Sequence, residues 1–135
     1  MSSSCPIPVL SYGRHASTAA GVKEGLAPEY DVVHFCLTED AAKAEFPRVL
    51  SGDLDGEPAC DIGSNAGRKV EDRLVPKTVL CGGGISLEEV DELKSLVGDK
   101  PGLVWIKLNP EDLDGPPGPA TIVPFMKRKL QAAGL

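Results

Sequence analysis

Four short stretches of the chain group glycines with hydroxyl, acidic, basic or thiol side chains in patterns that ligand sites use. The first is Gly13-Arg14-His15-Ala16-Ser17-Thr18. A glycine turn, the hydroxyls of Ser17 and Thr18 and the free amides of a helix start are groups that receive a phosphate. Arg14 would add a bidentate contact to it. His15 is placed for ligand contact or proton transfer, and a solvated loop histidine is the plainer alternative. The second stretch, Thr38-Glu39-Asp40, puts Glu39 26 residues after Gly13, a little beyond the spacing at which an acid meets an adenosine ribose. An acid there favours NAD, whereas Arg14 would serve the 2′-phosphate of NADP. Acids in the first turn of a helix also need no ligand to explain them. The third stretch is Cys81-Gly82-Gly83-Gly84-Ile85-Ser86. Three glycines let a backbone come close to a ligand, and a capped helix behind them supplies amides. The fourth contains Ser64 and Asn65 within Gly63-Ser64-Asn65-Ala66-Gly67-Arg68-Lys69. It would either close over a ligand as a flap or stay as a solvated loop.

Several chemistries do not fit these residues. Gly13 and Gly21 are eight apart, so the dinucleotide fingerprint G-x-G-x-x-G is absent. The 63–69 stretch has glycine spacing one short of a Walker A loop, Arg68 before Lys69, and Val70 where Ser or Thr is needed, which excludes a nucleoside triphosphatase. Leu87 stands six residues after Cys81, so the C-x5-R phosphatase loop is missing. The first strand ends without the acidic pair of a response regulator. Cys5, Cys36, Cys60 and Cys81 are spaced 31, 24 and 21 apart with no C-x-x-C pair, a pattern of reduced packing thiols rather than a zinc site or a disulfide framework. His34 reads as a core or face residue inside a strand. No metal is expected, and no Ser-His-Asp set can be assembled. Whether the protein is an enzyme stays open.

The elements that must position these residues alternate regularly. Residues 7–12 read as a short buried strand. A helix from Ala16 or Ser17 to Leu26 has Ala19, Val22 and Leu26 inward, and Pro28 stops it. The apolar run 31–37 is a strand covered on both faces. Thr38 caps a helix over 39–46 that Pro47 is expected to break or restart. Regular structure resumes with a strand over 77–81. Ser86 and Glu89 form a capping box opening a helix to Val97, with Leu87, Val90, Leu93 and Val97 inward and Gly98 ending it. A fourth strand, 103–108, holds Trp105. The Pro/Gly loop 109–119 leads to a helix over 122–133 with Pro124 in its first turn. The order βαβα–loop–βαβα implies an α/β three-layer sandwich with a four-stranded parallel sheet, Rossmann-like or flavodoxin-like. Residues 1–135 form one domain, with a long flexible loop at 51–76. In either fold, ligands gather at the carboxyl ends of the strands, where the first three stretches lie.

Composition narrows the partners. Fourteen basic and 20 acidic residues give a net charge of −6, which argues against DNA, RNA or an anionic membrane surface. One Trp, two Tyr and three Phe are too few for a single-strand stacking platform. No secretory signal or apolar run of spanning length is visible, so a cytoplasmic protein is expected.

The Gly13-Arg14 turn, the strand Val32-Val33-His34-Phe35, the segment Gly63-Ser64-Asn65 and the turn Gly82 to Gly84 before an acidic helix resemble a group of short fungal proteins described as NAD(P)-binding and Rossmann-like. The resemblance implies a dinucleotide-binding fold and names no substrate. The expectation is a small protein that binds a nucleotide, NAD or NADP first, with Gly13, Arg14, Ser17 and Thr18 on phosphate and His15 beside them. Gly82, Gly83 and Gly84 would make the close backbone approach, Glu39 would meet the ribose, and Ser64 or Asn65 would lie in the flap. One such unit could need a second copy to complete its site, hence a possible homodimer. The alternative is a cofactor-free interaction module working through a strand edge or the Pro-rich loop 114–119.

Overall fold

In a computed structural model of the chain, residues 6–27, 29–56, 62–82, 84–98, 100, 102–113, 115 and 118–135 are described. The elements are β1 (Ile7–Tyr12), α1 (Ala16–Leu26), β2 (Tyr30–Cys36), α2 (Glu39–Leu50), β3 (Thr78–Cys81), α3 (Leu87–Val97), β4 (Val104–Lys107) and α4 (Pro119–Ala132). All strand pairs are parallel, in the order β2-β1-β3-β4. The expected α/β architecture with a four-stranded parallel sheet is what forms. Its strand order is that of the first four strands of the flavodoxin-like arrangement, so the direction of winding reverses between β1 and β3.

The alternation of β1 explains the layers. Val9 faces a core with Val22 and Leu26 of α1 and Ile122, Phe125, Met126 and Leu130 of α4. Leu10 and Tyr12 face the opposite core, with Phe46, Val49 and Leu50 of α2 and Val90 and Leu93 of α3. A bulge interrupts the β1–β2 register. Val9 pairs with Val32, but Leu10 pairs with His34, so Val33 is the extra residue. Beyond it, the faces of β2 are exchanged relative to an unbroken strand.

Four details differ from the sequence expectation. The helix does not break at Pro47; α2 runs through to Leu50. A proline inside a helix costs about 3 kcal/mol or more, but Phe46, Val49 and Leu50 around it are buried, and that burial offsets the loss. α4 starts at Pro119, so Pro124 falls in its second turn, exposed to solvent. Leu87, the first residue of α3, is 66% exposed rather than inward. The described part of 51–76 carries the 3₁₀ turns Ser64–Gly67 and Val70–Asp72. Asn65 fastens it: its Nδ2 donates to Leu74 O (2.9 Å), and its Oδ1 accepts from Leu74 N (3.0 Å). Arg73 Nη1 donates to Leu54 O and Gly56 O at 2.7 and 2.9 Å.

Candidate functional site

Ser11 follows Ile7 and Val9 on the α1/α4 face of β1, but it is small where a core strand would carry a large apolar side chain. Above it α1 presents Ala19, and the chain leaves β1 through Gly13. These small residues leave a cavity of about 470 Å³ between the sheet and the two helices. Phe35, Leu80 and Leu108 line it from the sheet side, and Val22, Ile122 and Met126 from the helices. The rim is formed by Gly13, Arg14, His15, Thr18, Gly82 and Gly84. It lies at the carboxyl ends of β1 and β3, where the winding reverses. That is where an open α/β sheet has its natural crevice.

The α1 end of the rim has neither a side-chain cap nor an acid in its first turn, as is also true of α4. Its N-cap residue is His15. The first amides of the helix have no carbonyl to bind within it, and the macrodipole favours an anion beside them. By contrast, Thr38 caps α2 by accepting from Ala41 N at 3.1 Å, and Ser86 caps α3 by accepting from Glu89 N at 3.1 Å.

Arg14 is already engaged. Its Nη1 donates to the Tyr12 hydroxyl at 2.8 Å, and its Nη2 pairs with Glu89 Oε1 at 2.5 Å. Burial pushes the Tyr12 phenol pKa up, and the bond from Arg14 pulls the other way. The carboxylate of the predicted capping box is therefore diverted. Instead of folding back to Ser86, Glu89 latches α3 to the β1–α1 turn. Its second oxygen, Oε2, is buried with no hydrogen-bond partner among the described residues.

Glycine at the rim is not demanded by backbone geometry. Gly13, Gly82 and Gly84 are not among the described glycines with positive φ. A Cβ would meet the Phe35 ring at 3.5 Å from Gly13, Tyr12 O at 3.4 Å from Gly82 and Arg14 Cγ at 3.2 Å from Gly84. The missing side chains keep the rim open rather than relieving strain.

Of the residues singled out in the sequence, Gly13, Arg14, His15, Thr18, Gly82 and Gly84 come together at this cavity. Ser17 lies in the first turn of α1, exposed and outside the lining. Glu39 also lies outside it, held by Lys43 at 3.2 Å. Ser64 and Asn65 sit elsewhere. Ser64 Oγ donates to Asp31 Oδ1 (2.6 Å), near the start of β2, and a Cβ on Gly63 would strike Val33 O at 2.5 Å. That segment covers the outer edge of β2 and is not brought to the rim. Gly83, Cys5, Cys60 and residues 114, 116 and 117 of the Pro-rich loop lie outside the described residues. Cys81 is buried, and burial pushes its thiol pKa up to about 12 against the pull of Lys107 and Lys94. It packs as a neutral thiol and is poorly suited as a nucleophile.

Three contributors, Glu89, Gly21 and Gly25, escape sequence reasoning. Glu89 was read only as a capping residue, and no local pattern links it to Arg14, 75 positions away. Gly21 and Gly25 did carry a signal: a four-residue spacing puts both on one stripe of α1. Added Cβ atoms there would meet Pro119 at 2.4 Å and Val123 at 2.7 Å, so these glycines let α4 close over the cavity. The arrangement is suited to binding. Among the described residues, no hydrogen bond joins His15, Ser11 or Thr18 to an orienting carboxylate at the rim.

No family model matches this chain, and no solved structure matches it. Among curated proteins it is similar to "Kojic acid related protein 6" of Aspergillus oryzae, 29% identical over 106 residues. The match covers 77% of this chain and 60% of the relative, so the chain spans about 60% of the length of the protein it resembles. The likeness is thus to a fungal protein, and it indicates no NAD(P)-binding family. Among the described residues, no helix is long and apolar enough to cross a membrane.

Proposed function

We propose that this protein binds a small nucleotide-class ligand at the β1/β3 crevice. Its planar, apolar part would enter the cavity, and its phosphate would lie against the first turn of α1. The observation that carries the reading is the pairing of a cavity of about 470 Å³, apolar inside, with the one N-terminus among α1, α2 and α3 that has no side-chain cap. That volume lies within the usual range for small-molecule sites. Gly13 and Thr18 line the rim beside that first turn, Gly82 and Gly84 keep the opposite lip open, and His15 stands at the mouth. A mononucleotide fits this description directly. NAD or NADP would seat one nucleotide half in the cavity and run the other across the rim, past Glu39 or onto a second copy of the chain.

The test is thermal unfolding against FMN, AMP, ATP, NAD, NADP, NADH and NADPH, with kojic acid included because the relative's name carries it. Ligand at 100 times its dissociation constant adds about 2.7 kcal/mol, which raises the midpoint of a domain this size by several degrees. A selective rise that disappears when the cavity is filled by Ala19→Leu supports the reading. A well-folded sample unmoved by every compound overturns it in favour of the cofactor-free interaction module.

A further inference from the structure

A polar cluster occupies the opposite face of the sheet, where apolar contacts would otherwise continue. His34 and Cys36 come from β2 and Glu45 from α2, and all three are buried. The bulge at Val33 brings them together. It moves His34 into register with Leu10 and Cys36 into register with Tyr12, so both side chains turn toward α2. An unbroken strand would point them at α1. His34 Nε2 lies 2.6 Å from Glu45 Oε1, Cys36 Sγ lies 3.8 Å from the same oxygen, and one donor atom from each residue falls within 4.8 Å of the others. An imidazole, a carboxylate and a thiol in a dry core carry a desolvation cost that apolar residues of the same shape would avoid. Bulges are concentrated where a strand re-aims side chains for a site.

We propose that His34, Cys36 and Glu45 bind a borderline-soft divalent cation of the zinc class. Magnesium and calcium take oxygen donors, whereas a sulfur, nitrogen and oxygen set suits zinc. Tetrahedral zinc with bonds of about 2.0 to 2.3 Å holds its donors roughly 3.4 to 3.6 Å apart. The Cys36–Glu45 separation is close to that. His34 and Glu45 are nearer because they share a hydrogen bond, and His34 and Cys36, within 4.8 Å, are the widest pair and draw together on the cation. The cation replaces the proton of that bond and opens the pair by about 0.8 Å, while the thiol releases its own proton to coordinate. Three protein donors leave the fourth position to water or another ligand. Bound there, the cation ties the edge strand β2 to α2. This site is independent of the nucleotide cavity on the other face.

The experiment dialyses the whole chain against Zn²⁺, removes free metal and counts what remains per chain. A parallel sample takes Co²⁺ as a spectroscopic probe. The expected result is one metal per chain, with tetrahedral cobalt bands and a thiolate-to-cobalt charge-transfer band that Cys36→Ser abolishes. His34→Gln weakens affinity roughly tenfold or more. Zn²⁺ raises the unfolding midpoint of the wild type but not of Cys36→Ser. If either variant fails to fold, the near-isosteric Glu45→Gln takes its place. Substoichiometric retention by the folded wild type overturns the proposal. So does cobalt bound without a thiolate band, or a band that persists in Cys36→Ser.

Discussion

Under α2 and α3 the sheet is covered by large rings, whereas under α1 and α4 a core built around Leu26, Phe125, Met126 and Leu130 gives way, at the carboxyl end of β1, to small residues and a void. On the first side Phe46 stands edge-on to Tyr12 with centroids 5.8 Å apart and leans on Trp105 at 6.1 Å. On the second, Ser11, Gly13 and Ala19 leave about 470 Å³ unfilled, although Gly21 and Gly25 draw α4 tightly onto α1. A void survives in so small a domain because buried apolar clusters on both faces surround it. The bulge at Val33 serves both sides. It turns Phe35 to line the cavity and His34 and Cys36 toward α2. One extra residue in an edge strand thus sets both the lining of the cavity and the make-up of the His34–Cys36–Glu45 cluster.

The largest effect is expected at Phe46. Phe46→Ala removes a fully buried ring touching two others, and should cost about 3–5 kcal/mol in chemical denaturation. A loss under about 1 kcal/mol would mean that the α2/α3 face is no better packed than its opposite. Gly63→Ala comes next. Its Cβ would press on the backbone of Val33 and His34, which cannot give as a flexible side chain does, so about 1–3 kcal/mol should be lost. Amide exchange should then rise along β2 before it rises in β3.

These two residues also show what the sequence could and could not say. Phe46 was legible as the end of a helix because capping is local, but its burial was not, since Pro47 looked like a break. The strands, whose apolar runs are continuous, were legible too, as was Gly98, whose φ of +84° ends α3. The carboxyl-end rule then placed Gly13, Arg14, His15, Thr18, Gly82 and Gly84 near one crevice, and by the same reasoning it placed there Ser17 and Glu39, which lie outside the lining. Gly63 was legible as part of a long loop but not as a wedge against β2, because a clash with Val33 O is a long-range fact. The bulge left no trace either, since Val32 and Val33 are equally apolar and the register could slip without changing the pattern. Ser64 and Asn65 were assigned to a flap because a polar loop near glycines looks alike whether it covers a ligand or a strand edge.

A smaller effect sharpens the contrast through Cys81, on the packed side. Its thiol is neutral, with a pKa raised by burial from near 9 to about 12. A raised pKa means the folded state holds its proton more tightly than the unfolded chain. The stability it contributes is complete below pH 9 and is lost as pH climbs from there towards 12. Denaturation midpoints over that window should therefore fall more steeply in the wild type than in Cys81→Ala, and alkylation near neutrality should be slow. Equal slopes would show that Cys81 is more solvated than its burial implies. On the open side, Ala19→Leu should leave stability within about 1 kcal/mol of the wild type, because cavity filling commonly stabilises by that order. It should still abolish any ligand-induced midpoint shift.

The smallest expected effect on folding, and the most telling one for the site, lies at the Arg14–Glu89 latch. Both side chains keep some solvent access, at 31% and 17% exposed, so the pair contributes about 1 kcal/mol or less. For an anionic ligand the latch matters more. The guanidinium nearest the rim is neutralised by Glu89, and a phosphate at the start of α1 must either draw Arg14 away or bind without it. If it draws Arg14 away, Arg14→Ala should weaken binding, whereas Glu89→Gln, which removes the competing charge and keeps the shape, should tighten it. The two variants then move affinity in opposite directions while changing stability little. If both weaken binding equally, Arg14 acts by bracing α3 against the β1–α1 turn. The phosphate would then be held by the amides of α1 alone, and binding would depend on ionic strength only through the helix terminus.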